Sequence, residues 1–280
     1  MFELVAELVV GDVRAREGEL GAGVELSLVD YGQETDLLFK ELLIGVTRFF
    51  RDPPLWEQLK TEVIPALLAS QPEGGMLRAW TPGCSTGEEA YSLAIVFREA
   101  LQELKPAAHC TLQIFATDLD PDAINKARAG LYPADISADV STERLQRFFV
   151  REERGYRVSS EIRQMVIFAP QNLVMDPPFT KLDLLSCRNL LIYLEAELQK
   201  KLLPLFHYSL KPGGFLVLGS AETVGEASEL FCALPGRNRL YQRRAQQASV
   251  ELASFPSIAP GRRLSLTQKT TLPTKPCING

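Results

Sequence analysis

The sequence predicts an α/β protein built on a doubly wound, mainly parallel sheet. Three observations carry that prediction. Strand and helix signals alternate from residue 46 to residue 244, the order that places helices on both faces of a parallel sheet. A short apolar strand runs into a loop holding Gly83 and Gly87, and a helix opens at Glu88. The following strand ends on an acidic residue, Asp118. Both of the last two features fall at carboxyl ends of strands, where open α/β sheets bind their ligands.

Taken in order, residues 1–45 are a weak prefix. Glycines and acids interrupt the first thirty positions. Only 34–44, where Leu37, Leu38, Glu41 and Leu42 keep a helical period, predicts a helix. The main domain spans 46–244. Its strands are expected near 77–80, 112–117, 165–168, 182–186, 214–219 and 238–242, and its helices near 53–70, 88–104, 121–129, 141–148 and 195–210. Residues 147–151 and 156–159 predict a hairpin around Glu153-Arg154-Gly155, with 165–168 as a third strand. That would make a small antiparallel β-subdomain over about 147–170. Residues 245–280 carry Ser, Thr, Pro and Lys without a sustained period and are expected to be a disordered tail.

Composition narrows the function classes. The chain has 280 residues, 46% hydrophobic and 23% charged, the profile of an ordinary globular protein. Its five cysteines are scattered without a CxxC pair, which disfavours a zinc site or a disulfide framework and suits a reducing cytoplasm. No run approaches the ~20 apolar residues of a membrane span, and the start lacks the pattern of a secretory leader. Net charge is −5, and residues 1–45 hold ten acidic and three basic residues. No clustered basic face suggests nucleic acid as a partner; the acidic start reads as a solvated surface.

The glycine loop reads Thr81-Pro-Gly-Cys-Ser-Thr-Gly-Glu-Glu89. Gly83 and Gly87 let backbone approach a ligand closely. A Walker A loop is excluded because Glu88 stands where the lysine belongs, and GxGxxG is absent. Glutamates at a helix start also repel a pyrophosphate, since the free N–H groups there favour an anion. A cationic ligand without phosphate remains compatible, and S-adenosylmethionine is one. A tight strand-to-helix turn, with Glu88 and Glu89 serving the helix dipole, is equally compatible. Asp118 stands where the second strand's acid binds ribose hydroxyls. Of Asp118 and Asp120, one is expected to bind and the other to cap the helix opening at Pro121.

Four segments together resemble the chemotaxis receptor glutamate methyltransferases, the CheR family, most closely the domain found in fusions with the matching methylesterase. They are Val46-Thr-Arg-Phe-Phe-Arg-Asp52, Cys84-Ser-Thr-Gly-Glu-Glu-Ala-Tyr-Ser92, Phe115-Ala-Thr-Asp-Leu-Asp120, and Asn172-Leu173 followed by Cys187-Arg-Asn-Leu-Leu-Ile-Tyr193. Leu210-Lys-Pro-Gly-Gly-Phe-Leu216 adds a methyltransferase-like turn. The resemblance covers about 35–243. It implies a Rossmann-like S-adenosylmethionine-dependent methyltransferase fold with a short N-terminal helical segment. The implied activity converts glutamate side chains on the cytoplasmic domain of chemoreceptors to methyl esters, leaving S-adenosylhomocysteine. It also implies roles: Thr47 and Arg51 at the cofactor's methionine part, and Glu89 near the glycine loop with Gly83. Asp118 would hold the ribose, Asn172 and Leu173 would flank the adenine, and Arg188 and Asn189 would close over the cofactor. Arg51 and Tyr193 would be catalytic. No metal is implied, and a cytoplasmic monomer is expected. Gly45 departs from the asparagine of many members, and residues 1–30 lack the family's basic docking helix. The loop 152–156 is short, so no tether peptide is expected there.

These residues suit the chemistry. Methyl transfer from a sulfonium to a carboxylate annihilates two opposite charges, which a dry site favours. A glutamate with a reference pKa near ~4.3 is already ionised at neutral pH, so no general base is required. His109 and His207 are therefore expected to be surface or packing residues. Alignment remains the task, with Arg51 orienting the acceptor carboxylate and Tyr193 hydrogen-bonding it. Asp176-Pro-Pro-Phe179 matches a signature of amino-group methyltransferases, but it precedes the strand 182–186 instead of following it. It therefore reads as a loop. An N-methyltransferase using that segment and a non-catalytic cofactor-binding module are the alternatives.

Overall fold

A computed structural model describes residues 47–71, 74–106, 109–236 and 239–245. The prefix 1–45, its expected helix and Gly45 lie outside the described residues, as does the expected tail beyond residue 245.

The chain enters through a turn at Phe49 and Phe50 into a helical run, α1 (Pro53–Gln58), a π-helical turn (Leu59–Val63) and α2 (Ile64–Ala69). This is the single helix expected over 53–70, widened where Pro65 cannot donate to the carbonyl four residues back. β1 (Gly75–Pro82), α3 (Glu88–Leu104), β2 (Cys110–Asp118) and α4 (Pro121–Ala129) follow. Two sequence signals fix α4: Asp120 accepts from the Asp122 N–H as N-cap, and Pro121 opens the first turn. After α4 come β3 (Leu131–Tyr132), α5 (Thr142–Phe148), β4 (Phe149–Glu152), β5 (Gly155–Val158), α6 (Ser160–Arg163) and β6 (Val166–Pro170). The chain then gives β7 (Leu182–Cys187), a 3₁₀ turn (Leu191–Tyr193), α7 (Ala196–Ser209), β8 (Leu210–Leu218), β9 (Phe231–Ala233) and β10 (Leu240–Arg243).

Seven strands form one sheet in the order β6-β2-β1-β7-β8-β10-β9. The first five are parallel, and β10 runs antiparallel to β8 and β9. The crossovers bury both faces. α1 to α4 pack Leu55, Trp56, Tyr91, Ile95, Ile124 and their neighbours against one face. α7 packs Leu202, Leu203 and Phe206 against Trp80, Leu185 and Leu216 on the other. Strands buried on both sides explain the near-continuous apolar runs. His207 is a packing residue, as expected: it is buried edge-on to Phe231 with Nε2 3.2 Å from the Arg244 carbonyl. Among the described residues no helix is long and apolar enough to cross a membrane.

The small antiparallel sheet differs from expectation in its third strand. It runs β3-β5-β4, so β3 takes the place expected for 165–168, and the subdomain lies over 131–158. β6 instead extends the main sheet, pairing in parallel with β2 from Ile114↔Val166 to Asp118↔Pro170. The reason is burial: Val166 and Phe168 fill the core beside α3 and α4, a place that an edge strand of a small sheet would not offer them.

Candidate functional site

The carboxyl ends of β1, β2 and β7 converge on the glycine loop. The loop is held in a strained path. Ser85 has φ +48° and Gly87 φ +96°, and a Cβ at Gly87 would lie 2.9 Å from the Ala127 Cβ and 3.0 Å from the Phe168 ring. Glycine at 87 is thus demanded by both backbone and space. Asp118 ties the loop down: its Oδ2 accepts from the Ser85 N–H at 2.7 Å and its Oδ1 from the Asp120 N–H at 3.0 Å. The division of labour expected for the two aspartates therefore appears as Asp120 capping α4 and Asp118 standing at the loop. Burial, offset by those N–H groups, raises the Asp118 pKa.

Behind the loop, Glu89 projects from the first turn of α3. Its Oε1 accepts from the Ser186 hydroxyl at 2.7 Å, and the Arg188 guanidinium lies 3.4 Å from its Oε2. Burial raises the Glu89 pKa, and Arg188 and Ser186 pull it back. Glu88, also raised by burial, takes both oxygens to the Thr86 hydroxyl. The pocket wall is thus anionic at a helix N-terminus, the reverse of a phosphate cradle.

Arg188 binds the site together. Only 1% of its side chain is exposed. One terminal nitrogen donates to Asp52 Oδ2 at 2.6 Å and to the Arg51 carbonyl at 2.9 Å, and the guanidinium lies over the Trp56 ring. Trp56 Nε1 donates to the same Arg51 carbonyl at 2.8 Å. The segment 47–52 is therefore strapped across the end of β7. It is strained as well: Phe50 and Asp52 have φ of +50° and +61°, conformations that bulky residues adopt only when the surroundings enforce them. The Phe50 N–H donates to Ser92 Oγ on α3, which completes the enforcement. Thr47 and Arg51 lie on this strap, half-buried.

The remaining expected residues occupy loops at the same strand ends. Asn172, after β6, closes a turn: its Oδ1 accepts from the Val174 and Met175 N–H groups, and its own N–H donates to Asp176 Oδ2 at 2.8 Å. The aspartate of Asp176-Pro-Pro-Phe179 is thus engaged in the turn before β7, where the sequence reading put it. Leu173 is half-buried against the α7-side core. Asn189 has φ +57° just after β7, and Tyr193, 39% exposed, ends the 3₁₀ turn. Gly83 has φ +66°, and its α-carbon backs onto the Leu190 side chain, which a Cβ would meet at 2.9 Å. Four contributors escaped the sequence reading. Ser186 and Asp52 hold Glu89 and Arg188. Tyr132 donates from its hydroxyl to the Thr86 carbonyl at 2.6 Å. Buried Glu222 accepts from the N–H groups of Asn189, Leu191 and Gly219. Each has a partner at a long sequence separation, and only Asp52 belongs to a quoted segment, 46–52.

S-adenosylmethionine fits these residues. The ammonium of its amino-acid end suits half-buried Glu89, its ribose hydroxyls suit Asp118, and the acids at α3 would oppose a phosphate-bearing ligand. Thr81 Oγ1 and Arg188 Nε are among the buried side-chain atoms that have no hydrogen-bond partner among the described residues.

Comparison with known proteins agrees. A family model described as the CheR methyltransferase, SAM binding domain, matches residues 45–240. The chain is 44% identical over 205 residues to an uncharacterized 104.1 kDa protein of Rhodobacter capsulatus, a match covering 73% of this chain and 21% of that protein. It is 37% identical to the putative methyltransferase Cher3 of Pseudomonas putida, over 74% of this chain and 76% of that one. With chemotaxis protein methyltransferase 1 of Pseudomonas aeruginosa it shares 35% identity, covering 76% and 78%.

Proposed function

The chain belongs to the CheR methyltransferase family, and from that premise we propose that it transfers methyl groups from S-adenosylmethionine to glutamate side chains on the cytoplasmic domain of chemoreceptors, giving glutamyl methyl esters. The observation that carries the reading is the strap. Arg188 couples Glu89, which suits the donor's ammonium, to the backbone of Arg51, which suits the acceptor's carboxylate. One buried guanidinium thereby fixes the spacing between donor and acceptor groups.

When bound, S-adenosylmethionine supplies an electrophilic methyl on a sulfonium. Glu89 and Asp118 hold its two ends, with Asn172 and Leu173 beside the adenine and Thr47, Gly83 and Asn189 lining the rest. Arg51 orients the incoming carboxylate by a charge-assisted hydrogen bond, and Tyr193 steadies the second oxygen. The acceptor is already ionised, so no protein group takes a proton. Transfer of that methyl to the carboxylate oxygen would leave a neutral thioether and a neutral ester, a loss of both charges that exclusion of water by these residues would favour. Alignment of the three atoms then sets the rate.

The test is calorimetric titration with S-adenosylhomocysteine, followed by tritiated methyl transfer to receptor cytoplasmic fragments. Binding and label released by mild alkali are expected. Label that survives alkali would mean an N-methyl product and refute the ester; binding without transfer to any fragment would leave a cofactor-binding module.

A further inference from the structure

Thr81, at the end of β1, is 1% exposed, and its hydroxyl has no hydrogen-bond partner among the described residues. The register of the sheet fixes the face on which Thr81 lies. β1 pairs with β7 through Ala79↔Leu184 and Trp80↔Leu185, so Ser186 is the neighbour of Thr81 at the next step. Ala79 and Leu184 belong to the core on the α3 side, Trp80 and Leu185 to the core on the α7 side. Strand alternation returns Thr81 and Ser186 to the α3 side. Ser186 there donates to Glu89. Thr81 therefore lies on the same face of the sheet as Ser186 and the carboxylate that Ser186 holds. Arg188 Nε, another of the buried atoms without a partner among the described residues, belongs to the side chain at the other oxygen of that carboxylate.

An unpaired buried hydroxyl costs stability, and a valine of the same shape would avoid that cost. A hydroxyl can instead accept a hydrogen bond from a cation, which a methyl group cannot. Resting on the S-adenosylmethionine reading above, we infer that Thr81 is a further cofactor-binding residue. Its Oγ1 accepts a hydrogen bond from the ammonium of the donor's amino-acid end, on the side of that group away from Glu89. The glycine loop and Asp118 hold the adenosine end, so Thr81 discriminates by the amino-acid end alone.

Two ligands separate this role from a mere packing role. S-adenosylhomocysteine carries the amino-acid end; 5′-methylthioadenosine keeps the adenosine and the sulfur and lacks it. For Thr81→Val, calorimetry is expected to show affinity for S-adenosylhomocysteine lowered about tenfold, with affinity for 5′-methylthioadenosine unchanged. The melting temperature of the protein without ligand should stay level or rise. Thr81→Ser should restore S-adenosylhomocysteine binding, and Thr81→Ala, which removes the same oxygen, should repeat the selective loss. Wild-type affinity in the valine and alanine variants, or an equal loss for both ligands, would overturn the role while leaving the proposed function standing. Failure of the wild-type protein to bind S-adenosylhomocysteine would instead bring down the function, and this role with it.

Discussion

At the scale of single residues, the proposed function separates holding the donor from presenting the acceptor. Asp118, assigned to the ribose in the proposed function, anchors Ser85 and Asp120. Arg51, assigned to the acceptor in the proposed function, sits on the strap with its backbone carbonyl fixed by Arg188 and Trp56. The two should fail differently. Asp118→Ala is expected to weaken cofactor binding about tenfold or more. Arg51→Ala should lower turnover about 100-fold through misalignment of the acceptor while changing cofactor affinity far less. Arg51→Lys should recover only part of the rate, because a lysine lacks the planar fork. Steady-state kinetics on receptor fragments alongside calorimetry would check the pair; an Arg51→Ala protein with normal turnover would remove the residue from the mechanism.

At the scale of elements, the small antiparallel sheet acts as a brace. Tyr132 on β3 donates to the Thr86 carbonyl of the glycine loop, and its ring meets Phe49 of the strap edge-on at 4.8 Å, with Phe149 of β4 on the same phenylalanine at 5.4 Å. Loop and strap thus lean on a sheet that touches no cofactor in the proposed arrangement. Gly155 is what lets that sheet close: it has φ +141°, and a Cβ there would fall 2.0 Å from the Tyr132 carbonyl oxygen. Gly155→Ala is expected to cost about 2 kcal/mol or more of stability and to weaken S-adenosylhomocysteine binding, whereas Glu153→Ala in the exposed turn should do neither. Urea unfolding and ligand titration measure both; lost stability with unchanged affinity would refute the brace. This element was only half legible. The hairpin showed itself through Glu153-Arg154-Gly155, but a two-residue β3 is too short to carry a period. The apolar run of β6 could not reveal whether its partner was parallel or antiparallel. By contrast, α3 and α4 were readable to the residue because Gly87, Asp120 and Pro121 punctuate them locally.

At the scale of the molecule, sequence order and site diverge. Glu89, Asp118 and the glycines could be flagged from position on a strand or helix. The parts attributed to Arg51, Tyr193, Asn172, Leu173, Arg188 and Asn189 came only through resemblance. The partners of Asp52 and Ser186 were invisible, because they lie 136 and 97 residues away. What the fold assembles from these distant pieces is a concentration of carboxyl groups at least partly withdrawn from water, and that has a consequence for pH. Burial raises the pKa of Glu88, Glu89 and Asp118 above their ordinary values of 4.5 and 3.8. A carboxyl raised on folding adds stability below its unfolded pKa and loses it as pH climbs through the folded value. The protein without ligand should therefore shed stability as pH rises from the ordinary carboxylate range through the raised values. A cation beside Glu89 favours the ionised form and draws its pKa back down. Cofactor binding should then tighten across the same window and release protons. The rise in melting temperature caused by S-adenosylhomocysteine is expected to grow with pH there. Calorimetry in two buffers of different ionisation enthalpy should report net proton release. Proton uptake, or a ligand-induced shift that shrinks as pH rises, would mean that the buried carboxylates do not face the ligand's ammonium. The anionic wall would then be a feature of the fold's packing and not of its chemistry.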